Sequence, residues 1–170
     1  KGSIKDWCNI SFGDLESNPL YYANNLYIQG NKVENLEILD GISTLKPYVF
    51  AGGNFEHVVL DNSVRTINPY VFYGAKMKTV TIGNGVQTIA ANTFYNCTNL
   101  QKITLGNNVK DMSYNTFNGC TNLDTIICYG LTPAMVANNN GQYQQFTSVN
   151  PEECLLMVPE SAIVDYILAP

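Results

Sequence analysis

MKTVTIGNGVQTIAANTF (77–94) and LQKITLGNNVKDMSYNTF (100–117) carry apolar residues at the same relative positions, opening on Met77 or Leu100 and closing on Phe94 or Phe117. The pattern is already present upstream in VENLEILDGISTLKPYVF (33–50) and FEHVVLDNSVRTINPYVF (55–72), and it persists in part downstream as LDTIICYGL (123–131). Phenylalanine thus recurs at 50, 72, 94 and 117, a period of 22 to 23 residues. A fixed period in this range predicts a solenoid, whose coils can bury their apolar sides only against one another.

Each unit opens with inward residues, exemplified by Val33, Leu36 and Ile38 or by Met77, Val80 and Ile82, of which the last two are spaced as in a strand. The residues between them must then point outward. Parallel strands expected over 33–38, 55–60, 77–82, 100–105 and 123–128 would present two exposed columns. One is Asn35, His57, Thr79, Lys102 and Thr125; the other is Glu37, Val59, Thr81, Thr104 and Ile127. These ten side chains are the candidate ligand-binding residues.

Asp40-Gly41, Asp61-Asn62, Gly83-Asn84-Gly85 and Gly106-Asn107-Asn108 follow the strands and mark corners, being residues that bond their own main chain or accept left-handed backbone. Ile42 and Leu45, Val64 and Ile67, Val86 and Ile89, and Val109 and Met112 then face inward on a second short extended piece. PYVF, PYVF, ANTF and YNTF close the units, and their phenylalanines are expected to stack as one buried ladder.

Composition limits the function. At 170 residues and 45% hydrophobic, the chain can bury a sizeable core in a single domain over 1–170. Residues 1–32 read as an N-terminal cap, 33–131 as four to five repeats, and 132–170 as a loop and C-terminal cap. Ser3 is placed to cap a helix over 4–10, and Leu26 to Leu36 reads as a hairpin around Gly30-Asn31. Cys154 to Val158 reads as a last strand, and Glu160 to Leu168 as a short helix. The polar stretch 134–150, without periodicity, is read as a mobile loop. A net charge of −5 argues against nucleic acid, and no apolar run approaches the ~20 residues of a membrane span. The opening KGSIKDWC has neither an initiator Met nor a signal-peptide core, so it reads as a mature form or an excised domain.

His57 is the only histidine and has no catalytic partners in sequence, so it reads as a surface residue of the sheet. No cofactor and no metal is expected: Asp40, Asp61 and the Asn-rich corners lack a repeated carboxylate ladder and read as corner hydrogen-bonding groups. Cys97 and Cys120 occupy equivalent positions in successive coils, with buried free thiols the preferred reading over a disulfide, and Cys128 with Cys154 is a second possible pair. Tyr48, Tyr70, Tyr73, Tyr95 and Tyr114 surround the turns, either as a recognition surface or as rings packed along the outside of the coils.

The unit, and above all Phe94-Tyr95-Asn96-Cys97-Thr98-Asn99-Leu100 with Phe117-Asn118-Gly119-Cys120-Thr121-Asn122-Leu123, resembles the BspA-like leucine-rich repeats of bacterial surface proteins. Lys5-Asp6-Trp7-Cys8, Ser17-Asn18-Pro19-Leu20 and Leu26-Tyr27-Ile28-Gln29-Gly30-Asn31 are similar to the segment preceding the first coil in that family, and Leu156-Met157-Val158-Pro159-Glu160-Ser161 with Val164-Asp165-Tyr166 to its C-terminal ending. Gly52-Gly53-Asn54 and Gly74-Ala75-Lys76 depart from it by replacing the Cys-containing turn. The resemblance implies a right-handed leucine-rich-repeat superhelix of the α/β class, an extracellular or cell-surface location, and adhesion to a protein, such as a host matrix protein, or to a glycan. It implies no catalytic residues. The competing expectation is a structural spacer within a larger surface protein that binds no specific ligand.

Overall fold

A computed structural model of the chain describes residues 2–39, 41–136 and 145–168. Asp40 and residues 137–144 of the expected 134–150 loop lie outside the described residues.

The N-terminal segment forms α1 (Ile4–Cys8), α2 (Pro19–Ala23) and the antiparallel hairpin β1 (Tyr27–Ile28) and β2 (Asn31–Lys32). Ser3 caps α1 as expected: its hydroxyl accepts from the Asp6 amide while the Asp6 carboxylate accepts from the Ser3 amide at 2.8 Å. The helix ends at Cys8 rather than at residue 10. α2 was not foreseen, although Asn18-Pro19 carries its signal, an N-cap side chain bonded to the Leu20 amide and a proline in the first turn. The hairpin turns at Gln29-Gly30, one residue earlier than expected. With φ of 53° and 85°, these two residues supply the paired left-handed geometry of a two-residue loop.

The coils follow as β3 (Asn35–Ile38), β4 (Thr44–Leu45), β5 (His57–Leu60), β6 (Thr66–Ile67), β7 (Thr79–Ile82), β8 (Thr88–Ile89), β9 (Lys102–Leu105), β10 (Asp111–Met112), β11 (Thr125–Cys128), β12 (Met135–Val136) and β13 (Leu155–Met157). They assemble into two parallel sheets, six-stranded in the order β13-β11-β9-β7-β5-β3 and five-stranded in the order β12-β10-β8-β6-β4. A 3-10 turn (Glu160–Ala162) and α3 (Ile163–Leu168) complete the described chain. The solenoid of parallel strands read from the repeat is therefore the observed architecture. Each long strand begins two residues later than the expected range.

The register pairs equivalent residues of successive units, Val58 with Val80 and Val80 with Ile103, so one apolar choice per position is stacked through the molecule. Leu36, Val58, Val80 and Ile103 are fully buried, as are Phe50, Phe72, Phe94 and Phe117. The four phenylalanines form the expected ladder, with ring centroids 5.6, 5.5 and 5.4 Å apart and planes within 12° of parallel. These separations exceed the ~4.8 Å strand spacing, so the rings are offset, as the ring quadrupole prefers.

The coil geometry runs past residue 131, where the sequence repeat fades. Phe146 adds a fifth ring 5.2 Å from Phe117, and β12 pairs with β10. Main-chain bonds accompany the rings. The amides of Phe50, Phe72, Phe94 and Phe117 donate to the carbonyls of Val71, Thr93, Thr116 and Gln145, each 3.0 Å away. In the first coil the Val49 carbonyl has no preceding phenylalanine amide to accept, and the Trp7 indole N–H donates to it at 2.8 Å. Trp7 thereby supplies the donor that completes this row of main-chain bonds.

Two positions per coil require left-handed backbone. The first is Tyr48, Tyr70, Asn92 and Asn115, and the second Gly52, Gly74, Asn96 and Gly119. Asn and Gly meet that demand at low cost, whereas tyrosine with φ of 63° is strained. Tyr48 and Tyr70 are nevertheless stacked on each other at 5.2 Å. At the corners, the Asn84 amide donates to Asn62 Oδ1 at 2.7 Å and the Asn107 amide to Asn84 Oδ1 at 3.0 Å, so these side chains tie coil to coil. Asp61 Oδ1 accepts from the Ser63 amide at 2.8 Å.

Candidate functional site

Strand alternation fixes the surface of the six-stranded sheet. With Leu36, Ile38 and their equivalents turned inward, the residues between them are outward by period two. The structure brings all ten predicted residues together on this face. Asn35, His57, Thr79, Lys102 and Thr125 pair in one row, and Glu37, Val59, Thr81, Thr104 and Ile127 in the next. Asn35, Glu37, His57, Val59, Thr81 and Lys102 are exposed, while Thr79, Thr104, Thr125 and Ile127 are half-buried. Both rows gain a sixth member from β13, Leu155 beside Thr125 and Met157 beside Ile127.

A third row was missed. Glu34, Glu56, Lys78, Gln101 and Asp124 immediately precede the strands, are exposed, and are linked through their main chains. The Glu56 amide donates to the Glu34 carbonyl at 2.6 Å and the Lys78 amide to the Glu56 carbonyl at 2.9 Å. The signal was present in the sequence: the second position of every unit is polar, directly after the inward residue that opens it.

Within these rows Lys78 Nζ lies 2.6 Å from Glu56 Oε2, and this hydrogen-bonded ammonium holds the Glu56 carboxyl below its ordinary range. Both groups are half exposed, so the pair orders the surface more than it stabilises the fold. His57 Nδ1 lies 2.8 Å from Thr79 Oγ1, which orients the imidazole along its row. Hydroxyls, an amide, both signs of charge and a few apolar groups therefore share one sheet face. Such a set suits contact with another surface rather than enclosure of a small molecule.

The tyrosines lie elsewhere, along the turns. Tyr73 and Tyr95 stack at 5.4 Å with planes 1° apart, and Tyr48, Tyr70, Tyr73 and Tyr95 are all half-buried. Their ring faces are occupied by one another, which favours the packing role, whereas Tyr114 is 39% exposed. Cys8, Cys97 and Cys120 are buried free thiols, and Cys128 and Cys154 are free and half-buried. Cys97 Sγ donates to the Phe72 carbonyl at 3.0 Å and Cys120 Sγ to the Phe94 carbonyl at 3.1 Å, so equivalent thiols each bond to the coil before. Burial raises the Cys97 thiol well above its ordinary range.

Among the described residues, no helix is long and apolar enough to cross a membrane. No curated protein matches the chain. The family model for the BspA type leucine rich repeat region does match it, in six copies spanning residues 22–133. That span begins upstream of the first unit read from the sequence and takes in the hairpin. With its repeat register, parallel coils and family match in agreement over most of its length, the chain belongs to the BspA-type leucine-rich repeat family.

Proposed function

We propose that the chain is a non-enzymatic protein-binding or adhesion module of a cell-surface or secreted protein, and that the six-stranded sheet is its recognition face. One observation carries this reading. Three outward rows are held in register by main-chain bonds, so their side chains stand at the ~4.8 Å interval of a parallel sheet and the backbone that presents them needs no ordering at binding. Membership of a BspA-type repeat family supports the class of function, and the same kinship supports a surface location. A protein or a glycan would contact Asn35, Glu37, His57, Val59, Thr79, Thr81, Lys102, Thr104, Thr125 and Ile127. The mixed charge of the rows directs specificity to local fit rather than to long-range steering.

The test is a protein and glycan array probed with the intact domain and with a His57→Ala, Lys102→Glu variant. The proposal expects partners bound by the intact domain to be lost or strongly weakened with the variant. Unchanged binding by the variant would place recognition on another face.

A further inference from the structure

The last strand of the six-stranded sheet has a different character from the others. β13 pairs with β11 on one side, and among the described residues no strand pairs with its other side. The Leu155 amide donates to the Asp124 carbonyl at 2.7 Å, so Leu155 and, by strand alternation, Met157 direct their main-chain groups at β11. Leu156 between them turns its N–H and C=O away from the sheet. It is an edge of the kind to which another chain can add.

Side chains reinforce this. Leu156 continues the inward row of Leu36, Val58, Val80 and Ile103, each at most 1% exposed, yet Leu156 is 57% exposed. Leu155 and Met157 are 65% and 53% exposed, and Val164 and Ile167 of the following helix 64% and 73%. Natural edge strands are usually defended by lysine, proline or a bulge, and Leu155-Leu156-Met157 carries none of these. Leu155, Leu156 and Met157 thus form an apolar, unpaired edge among the described residues.

Charge identifies the occupant. All nine Lys and Arg residues fall in 1–110, and from Asp111 onward the chain has acids only. Asp124, Glu152, Glu153, Glu160 and Asp165 are exposed around the open edge. A second copy added antiparallel about Leu156 would set Glu152 against Glu160 of its mate, two like charges beside a short strand. A strand with cations at its ends meets the opposite situation.

We propose that β13 is a docking edge for an extended segment of another protein, apolar at alternate positions and flanked by Lys or Arg. The segment's main chain pairs with Leu156, its central apolar residue covers the Leu156 side chain, and its cations meet Glu152, Glu153 and Glu160. This site is distinct from the exposed rows at the centre of the sheet and stands or falls separately from them.

The probe is a fluorescent peptide with a Val-Thr-Val-Thr-Val core and two lysines at each end, titrated with the intact domain at low salt. Saturable binding is expected. It should weaken about tenfold or more in a Glu152→Lys, Glu153→Lys variant and at raised salt. Leu156→Pro, which removes the outward amide but none directed at β11, should abolish it. A peptide N-methylated at alternate residues should fail against the wild-type protein, which tests main-chain pairing even if the proline variant is misfolded. Equal binding of a glutamate-flanked peptide, of the N-methylated peptide, or by the charge-reversed variant overturns the proposal. So does a concentration-dependent dimer that is lost in Leu156→Pro while the peptide does not bind, because the edge would then serve a second copy.

Discussion

Phe94→Ala removes the central ring of the ladder and leaves the main chain intact. Phe94 has no exposed surface and lies between Phe72 at 5.5 Å and Phe117 at 5.4 Å, so its deletion opens a cavity that neither neighbour can fill without leaving its own stack. Loss of a buried phenylalanine costs ~3–5 kcal/mol, within which the two ring contacts account for ~1–3 kcal/mol. The Phe94 amide and carbonyl, bonded to Thr116 and to the Cys120 thiol, are retained in alanine, so the measured loss belongs to the ring. Phe146 is the internal control. It is half-buried and, among the described residues, Phe117 is its one ring neighbour, so Phe146→Ala should cost ~1–2 kcal/mol, scaled down from the fully buried case. Urea unfolding followed by circular dichroism gives both values from the midpoint and slope. Because each coil contacts only its neighbours, Phe94→Ala should also broaden the transition or split it in two. Equal costs for the two variants, or a loss below ~1 kcal/mol for Phe94→Ala, would refute the ladder as the core of the fold.

Other consequences follow from single contacts. Trp7→Phe keeps the ring in place but leaves the buried Val49 carbonyl without its donor, for an expected loss of ~1–3 kcal/mol in the same assay; an unchanged midpoint would show that the indole bond is dispensable. In the native protein Cys128 and Cys154 should react with a thiol reagent well before Cys8, Cys97 and Cys120, with all five reacting in urea, and equal native rates would contradict the burial. Burial pushes the Cys8 thiol up to about 12 and also raises Cys97, Cys128 and Cys154. The unfolded thiols release protons from about pH 8.5, while the folded ones still hold theirs. Thermal stability should therefore be insensitive to thiol titration below that pH and fall as pH rises through 9 to 11. A Cys8→Ala variant should show a shallower decline, and an identical slope would remove Cys8 from the account.

The six-stranded sheet was legible because one repeated choice per position, such as Leu36, Val58, Val80 and Ile103, states both the period and the inward side. The exposed rows came from the same evidence, by alternation. What escaped notice lacked either repetition or apolar character. β12 and Phe146 continue the coil that Leu123-x-x-Ile126 opens, but Phe146 lies 23 residues after Leu123 where the other closing phenylalanines lie 17 after their opening residue, so the repeat falls out of step along the chain. α2 is five residues long, too short for helical periodicity, and is specified instead by the Asn18 side chain, which bonds the Leu20 amide and reaches the Tyr48 carbonyl at 2.7 Å. The row from Glu34 to Asp124 lies one residue before each strand, outside the alternation that marks the other two rows, and its residues share polarity but no single side chain. The Cys-containing turn illustrates the converse. Gly53 and Ala75 fill the positions of Cys97 and Cys120 and share their burial, so the coil needs a small residue there rather than a thiol.

Recognition by one face of the solenoid is tested by matched substitutions on its two sheets. Thr81→Arg and Thr88→Arg make the same change at exposed strand positions, the first on the six-stranded sheet and the second on the five-stranded sheet. Both should leave the unfolding free energy within about 0.5 kcal/mol of the parent. With a partner identified on the array, binding should be lost in Thr81→Arg and retained in Thr88→Arg. Retention in Thr81→Arg with loss in Thr88→Arg would contradict the assignment of the recognition face.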